Sequence, residues 1–256
     1  MKFGKLYLFL IFGFLYIPII VLITLSFNKS GVPTSWGGFS LEWYLKLFEN
    51  KKILNALINT LIVATISTLL ASIIGTLLAV GIELKKNKNH FIEGTVFVPM
   101  IIPDIVMAIS LLSFFTLLQF TLGLYSIIIS HVVFNIAFVC AIVRTRFNHF
   151  DHNIIEASYD LGAKNITTFI KITLPVIFPG VLAGSLLAFT LSIDEFIIAF
   201  FTAGPGSDST TLPMLIYSMI RFGVTPEINA LSTFIILFSF LILFISQRFN
   251  KGNVIL

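Results

Sequence analysis

The sequence predicts an all-α integral membrane protein that crosses the bilayer six times. The first observation is its composition: 57% of the 256 residues are hydrophobic, only 11% are charged, and the mean hydropathy is +1.02. A soluble globular domain carries about 25% charged residues, so the composition excludes a water-soluble fold. The second observation is that the apolar residues fall into six stretches, each long enough to cross the hydrocarbon core as a helix. We therefore expect a single transmembrane domain over residues 1–256.

The six expected spans follow one another with short connections. They are Leu6–Phe27, Leu57–Ile82, Thr95–Leu118, Leu124–Val143, Val176–Ala203 and Ala230–Ser246. The first apolar run is too long for the core of a signal peptide and has no small-residue cleavage site after it, so it predicts an uncleaved span. Pro99 and Pro103 lie in the third stretch, where they are expected to bend or break the helix.

The distribution of Lys and Arg predicts the orientation. With the N-terminus inside, eleven basic residues lie in inner segments and five in outer ones. This bias places both termini in the cytoplasm. It makes residues 28–56 an outer loop and residues 144–175 a cytoplasmic loop. The sequence pI of about 9.2 does not indicate nucleic-acid binding, because the basic residues are spread over the loops and form no patch.

Small residues recur at every fourth position in two of the spans. Ser67, Ala71, Gly75 and Ala79 form one stripe, and Gly180, Gly184, Ala188 and Ser192 form the other. Small side chains let helix backbones approach closely in a membrane. The stripes indicate packing within the chain or, alternatively, contact with a second subunit.

Acidic residues inside apolar spans are the candidate functional groups. Asp194 and Glu195 lie side by side in the fifth stretch, and Asp104 follows Pro103 in the third. An ionisable residue in a membrane costs a few kcal/mol on insertion scales and marks a functional site by default. Spaced carboxylates suit a polycation, although each acid could instead be neutral or paired with a basic residue of another subunit. Successive helical residues point about 100° apart, so the two neighbours should do different jobs.

Several further residues accompany these acids. Ser192, on the small-residue stripe, and Trp43, in the outer loop, complete the candidate substrate pathway. His131 and Asn135 share a face of the fourth span and predict either polar lining or an interhelical hydrogen bond. The outer loop containing Trp43 could help admit the substrate, or it could lie as an amphipathic segment on the membrane surface.

The cytoplasmic loop carries the most specific motif. Its centre reads "EASYDLGAKNITTFIKITLP", residues 156–175. Asn153 is expected to cap a short helix over residues 154–161, which Gly162 ends in the left-handed conformation. The residues that carry the motif match in type and spacing the EAA loop of ABC importer permeases: Glu156, Ala157, Gly162, Ile172, Leu174 and Pro175. Ser158 replaces the second Ala of that pattern. On these residues the chain resembles a permease of the type I ABC importer fold.

The resemblance implies a set of partners and a transport role. In this family the loop docks on an ATPase subunit, so the implied complex has a second permease subunit, two ATPase subunits and a periplasmic binding protein. "PDIVMAISLL" at 103–112, "FTLSIDEF" at 189–196 and "IYSMIRFGVTPEINALST" at 216–233 resemble polyamine importers of the spermidine/putrescine class. The implied localisation is the bacterial inner membrane.

Enzymatic activity is not expected of the chain itself. It contains no G-x-x-x-x-G-K-[ST] phosphate-binding loop, so ATP and Mg²⁺ would be bound by the partner ATPase and the chain needs no cofactor of its own. No residues have the spacing of metal ligands. Two alternatives remain: the same ABC machinery with another cationic or organic cargo, or an ion-coupled secondary transporter in which Asp104 and Asp194 carry protons or sodium.

Overall fold

The computed structural model describes residues 2–32, 35–84, 90–147, 150–151, 153–206, 208–221 and 223–249. In residues 2–3, 90, 238–239 and 241–249 it describes the backbone alone. The helices in chain order are α1 Lys2–Ser26, α2 Glu42–Glu49, α3 Lys51–Glu83, α4 His90–Ile101, α5 Asp104–Leu117, α6 Leu124–Phe147, α7 Asn153–Asp160, α8 Asn165–Thr168, α9 Leu174–Asp194, α10 Ile197–Thr202, α11 Leu212–Arg221 and α12 Pro226–Phe249. A π-helical turn, Phe169–Thr173, joins α8 to α9. The described part of the chain contains no β-strand, only one isolated bridge between Asn28 and Phe39, which confirms the all-α prediction.

Within the described part of the chain, four helical segments are long and apolar enough to cross a membrane. They are Gly4–Ser26, Lys51–Glu83, Leu124–Phe147 and Asn165–Asp194. The pair α4 and α5 is a fifth candidate if its two arms count as one span, but they meet at an angle of 109°. The structure thus shows four or five candidate spans rather than the expected six. Helix α12 contains the expected sixth stretch, but Pro226–Leu237 is too short to span on its own and the side chains beyond it are incompletely described.

Three of the expected spans need correction. The second begins at Lys51, so the end of the predicted outer loop is already helical. The third expected span is broken between Ile101 and Asp104, as the prolines predicted. The helix cannot continue there because the Pro103 nitrogen has no N–H for the helical hydrogen bonds. The prediction of one helix over Val176–Ala203 is wrong, because α9 ends at Asp194 and α10 starts at Ile197.

The chain divides into two compact units. One contains Met1–Leu54 and Leu215–Leu256, and the other contains Asn55–Met214. In the first unit, α12 packs against both α1 and α2. The Phe48 and Phe234 rings meet edge to face at 5.8 Å, and the Asn50 amide donates a hydrogen bond of 2.8 Å to the Glu227 carboxylate.

The amphipathic helix α2 belongs to the first unit. Leu47 is its buried residue, while Leu45 and Phe48 are exposed. The Lys46 ammonium lies 2.7 Å from the Glu42 carboxylate, and this hydrogen-bonded ion pair lowers the pKa of Glu42. An exposed pair of this kind contributes little to stability. The apolar face of α2 accords with the expected amphipathic segment of the outer loop.

Helix α6 is the centre of the second unit. It packs against α4, α9 and α10, and thirteen of its residues are buried. Both small-residue stripes face it: a Cβ built on Gly75 would lie 2.9 Å from the Val139 side chain, and one built on Gly184 would lie 3.3 Å from the Val139 backbone. All eight stripe residues are buried. The stripes therefore pack within the chain, which was the first of the two expected roles.

Candidate functional site

Two helix breaks are brought together in the second unit. The break before Asp104 starts α5, and the break at Glu195 and Phe196 starts α10. Helix α5 packs against α10, and one apolar cluster joins them with α6. Its buried members are Met107, Ala108, Phe134 and Ile198. Discontinuous helices within a membrane are tolerated only where the freed backbone groups find partners. A functional site is therefore expected at these breaks.

The three candidate acids occupy different surroundings at these breaks. Asp104 is exposed in the first turn of α5, and Asp194 is the exposed last residue of α9. The Glu195 side chain is only 7% exposed. The structure thus places the two neighbouring acids in opposite environments, one outside and one inside the packed helices. The prediction that these two acids point in different directions assumed a continuous helix. Their side chains are instead separated by the extended backbone of Glu195, with φ −68° and ψ 120°.

Glu195 binds the first turn of α10. Its Oε1 accepts a hydrogen bond of 3.0 Å from the N–H of Ile198, and its Oε2 accepts one of 3.1 Å from the N–H of Ala199. The first N–H groups of any helix lack intrahelical acceptors, and a side-chain carboxylate is a favourable partner for them. Glu195 therefore explains why the helix breaks where the apolar pattern alone predicts continuity.

A chain of buried polar side chains lies behind Glu195. The Ser67 and Ser192 hydroxyl oxygens are 3.1 Å apart, and the Ser192 hydroxyl lies 2.7 Å from His131 Nδ1. His131 Nε2 is 3.9 Å from Glu195 Oε2, a distance beyond hydrogen bonding. The contact of His131 on α6 with Ser192 on α9 confirms the predicted interhelical hydrogen bond. Asn135 is fully buried, and neither amide atom has a hydrogen-bond partner among the described residues.

Trp43, predicted in the outer loop, lies in the first turn of α2 in the other unit, beside a loop organised by the buried Asn28. Its indole N–H donates a hydrogen bond of 2.8 Å to the Asn28 carbonyl, and the Lys46 ammonium lies 4.6 Å from the ring centre. The Asn28 side chain is itself bonded to the backbone of Ser30, Ser35 and Gly37. Trp43 thus holds the outer loop to the start of α2.

The motif residues of the predicted cytoplasmic loop lie at the surface, except for Ile172 and Leu174, which are partly buried. Glu156 and Ala157 are exposed on α7, and Gly162 follows with φ +82°. The Gly162 N–H bonds to the Tyr159 carbonyl and the Ala163 N–H bonds to the Ser158 carbonyl, which is the Schellman end of a helix. The predicted left-handed helix end is therefore confirmed.

Two details of this loop differ from prediction. Helix α7 begins at Asn153 itself, whose N–H donates to the Asp151 carboxylate, so Asp151 supplies the cap that was assigned to Asn153. The fifth expected span does not begin at Val176, because the helical path runs through Pro175 unbroken from Asn165 to Asp194. A proline cannot donate to the turn before it, and the preceding turn, containing Ile172, widens to the π form just before Leu174.

Two polar contacts near the loop have no signature in the sequence. The Ser158 hydroxyl lies 2.8 Å from the Thr168 hydroxyl and ties α7 to α8. The Arg144 Nε donates a hydrogen bond of 2.6 Å to Glu83, with Glu93 at 3.7 Å from its terminal nitrogen. In the sequence, Arg144 contributes only to the predicted orientation of the chain in the membrane. Nothing in the spacing of residues shows that α3, α4 and α6 converge on it. Among the residues the structure describes, no three His, Cys, Asp or Glu side chains are grouped to hold a metal ion.

Comparison with known proteins defines the class to which this arrangement belongs. Residues 71–252 match the family of binding-protein-dependent transport system inner membrane components. The chain belongs to this family, and it is a multi-pass membrane protein.

Within the family, the most informative relatives are polyamine permeases. The chain is 42% identical over 248 residues to the spermidine/putrescine transport system permease protein PotC of Escherichia coli K12, covering 95% of this chain and 93% of the relative. It is 39% identical to PotC of Haemophilus influenzae, with 96% of each chain covered. The putrescine transport system permease protein PotI of Escherichia coli K12 is 38% identical, covering 88% of this chain and 82% of the relative.

Solved structures show the same fold at low sequence identity. A bacterial ABC transporter that imports the acidic polysaccharide alginate superposes with a TM-score of 0.78 at 16% identity, covering 99% of this chain and 96% of that one. An alginate ABC transporter in complex with a pentasaccharide-bound periplasmic protein gives a TM-score of 0.73 at 20% identity, with the same coverage. The chain therefore has the ABC importer permease fold.

Proposed function

We propose that this chain is a permease subunit of an ATP-driven ABC importer for polyamines of the spermidine/putrescine class. The observation that carries the proposal is its 39–42% identity to PotC permeases over 95–96% of its length. The chain would cross the bacterial inner membrane six times, with α12 as the sixth span and both termini in the cytoplasm. The proposed complex contains a second permease subunit, two ATPase subunits and a periplasmic polyamine-binding protein. ATP and Mg²⁺ would be bound by the ATPase.

The proposed cargo path passes the two helix breaks of the second unit. A polyamine is a chain of ammonium groups separated by methylenes, so it needs spaced anions and apolar surface. Asp104 and Asp194 supply exposed carboxylates at adjoining breaks. The Phe196 and Phe200 rings lie 5.5 Å apart at the start of α10, and aromatic rings attract ammonium groups. Ser192 and Glu195 lie one layer behind this surface, and Trp43 is proposed to act at the entrance through the outer loop.

The proposed coupling surface is the exposed face of the cytoplasmic loop. Leu161 is 89% exposed and Ile166 is 73% exposed, next to Glu156 and Ala157. Leu161 directly follows α7 and Ile166 lies on α8, and large exposed apolar side chains on neighbouring helices are typical of a protein contact. We propose that the ATPase covers them, and that its movement reaches the span through the continuous helix from Asn165 to Asp194.

The test of cargo is uptake by the assembled complex in proteoliposomes. Labelled spermidine and putrescine should enter when ATP and the binding protein are supplied, and other small cations should enter far more slowly. Uptake of a different solute in preference to both would overturn the polyamine assignment. Uptake that persists without the ATPase but collapses with the ion gradient would overturn the ABC mechanism in favour of a secondary transporter.

The test of the path is the pair of isosteric variants Asp104→Asn and Asp194→Asn. Each removes one negative charge, so each should reduce polyamine uptake by about tenfold or more. Expression and co-purification should remain normal, because an amide is easier to place in a membrane than a carboxylate. Glu49→Gln, a matched change at an exposed acid on α2, should transport normally. Normal uptake by both Asn variants would place the path elsewhere.

A further inference from the structure

The break between α9 and α10 creates a need for hydrogen-bond acceptors. The first intrahelical bond of α10 joins the Phe200 N–H to the Phe196 carbonyl at 2.8 Å. The N–H groups before Phe200 cannot bond within the helix. In a membrane no water is available to bond a backbone group that lacks a partner, so whatever accepts from these N–H groups stabilises the break itself.

Glu195 meets that need with both carboxylate oxygens. Oε1 accepts from Ile198 and Oε2 from Ala199, at 3.0 and 3.1 Å, and the side chain is 7% exposed. An ammonium group of the cargo would have to displace or share these bonds and reach a buried side chain. Asp194, one residue earlier, is exposed. The geometry therefore separates a carboxylate that serves the backbone from one that is open to a ligand.

His131 is the buried polar side chain next to the Glu195 carboxylate. Of the two neutral tautomers, only the one protonated at Nε2 points an N–H toward Glu195 Oε2, 3.9 Å away. The Ser192 hydroxyl lies 2.7 Å from Nδ1 and 3.1 Å from the Ser67 hydroxyl, which also donates a hydrogen bond of 3.3 Å to the Ala64 carbonyl. The contact with Ser192 on α9 thus holds the imidazole in place beside Glu195.

The cap also influences the second acidic residue of the proposed path. Helix α5, whose first turn carries Asp104, packs against α10 through the cluster that contains Met107 and Ile198. Ile198 is both a cluster member and a donor to Glu195. Fraying of the first turn of α10 would therefore loosen the support of α5.

We propose that Glu195, packed beside His131, is a positioning residue. It holds α10 against α5 and so fixes the relative placement of Asp104 and Asp194, while the cargo does not bind Glu195 itself. This inference rests on the proposed cargo path. It assigns the two neighbouring acids separate roles: Asp194 contacts the polycation, and Glu195 maintains the helix break beside it.

Transport kinetics distinguish positioning from cargo binding. Glu195→Gln keeps one acceptor oxygen and Glu195→Ala keeps none, so the maximal uptake rate should fall in two steps, by about threefold and then by about tenfold. The half-saturating polyamine concentration should stay within about twofold in both, since the charge that binds cargo is not removed. If Glu195 binds cargo, Gln and Ala should be equally poor and half-saturation should rise. That result would overturn the proposal.

A distance measurement tests the positioning without transport. Spin labels at Leu117→Cys on α5 and Leu186→Cys on α9 report how firmly α5 is held; both sites are exposed, and the native Cys140 is buried. In the cargo-free complex the distance distribution should broaden in Glu195→Gln and Glu195→Ala, but not in Asp194→Asn. Unchanged distributions in the Glu195 variants would overturn the proposal. If the wild-type complex takes up no polyamine, the proposed function fails while this comparison still decides the positioning role.

The role of His131 has a matched control on the same helix face. His131→Leu removes the imidazole beside Glu195 and should broaden the spin-label distances as Glu195→Gln does. His131→Gln, which can again present an N–H, should restore part of the narrow distribution. Asn135→Leu, one turn along α6 and without a hydrogen bond to α9 among the described residues, should leave the distances unchanged. Equal broadening by His131→Leu and Asn135→Leu would show that burial of polarity in general, and not orientation of Glu195, is responsible.

Discussion

Replacing Gly75 by alanine tests how closely α3 and α6 must approach. The added Cβ would lie 2.9 Å from the Val139 Cβ and 3.0 Å from the Ile136 carbonyl oxygen. Ordinary carbon–carbon contacts are about 3.5–4.0 Å, so the two helices would have to separate by several tenths of an ångström. Overpacking of this kind costs about 1–3 kcal/mol.

Gly81→Ala is the matched control for this substitution. Gly81 lies on the same helix, and a Cβ built there has no atom within 4 Å. Both variants gain the same helix propensity, about 1 kcal/mol, so that term cancels in their difference. The difference in stability should therefore equal the overpacking cost alone.

The assay is thermal unfolding of the detergent-solubilised complex, followed by the loss of the monodisperse peak on size exclusion. Gly75→Ala should melt below Gly81→Ala by roughly 3–10 °C. Gly81→Ala should melt at or above the wild-type temperature. Equal melting temperatures would refute the close approach of α3 and α6, and with it the interpretation of the small-residue stripe.

Three further predictions concern the cytoplasmic loop. Gly162→Asp adds a side chain at φ +82°, at a cost of about 1 kcal/mol or more, and should weaken co-purification of the ATPase while membrane insertion stays normal. Undiminished co-purification and uptake would contradict the assignment of this loop as the ATPase contact. Ser158→Ala restores the usual motif residue but leaves the Thr168 hydroxyl without its Ser158 partner, so it should lower the free energy of unfolding by about 1–3 kcal/mol. An unchanged melting temperature of the complex would show that the hydroxyl pair is dispensable. Arg144→Gln leaves the partly buried Glu83 carboxylate without its ion pair and should destabilise the complex by a few kcal/mol. The double variant with Glu83→Gln should recover most of that stability; a double variant as unstable as Arg144→Gln would rule out the pair as the cause.

The sequence by itself determined the class of structure. Apolar runs of spanning length leave a chain no alternative to helices in a membrane, because every backbone group must be bonded within its own segment. Pro103 forced a helix break that could be located in advance, since a missing N–H is a local property. Gly162 marked the end of α7 for a similarly local reason, because glycine adopts a positive φ at little cost.

Only the tertiary structure decided which carboxylate lies inside. The apolar residues on both sides of Glu195 predict one continuous helix. The helix ends there because the Glu195 carboxylate accepts hydrogen bonds from the N–H groups of Ile198 and Ala199. The surroundings of this carboxylate come from His131 and Ser192, on two different helices. The convergence of Glu83 and Arg144, 61 residues apart, is likewise set by helix packing. Local conformation follows from the residue and its neighbours along the chain, whereas the environment of a charge depends on segments that only packing brings together.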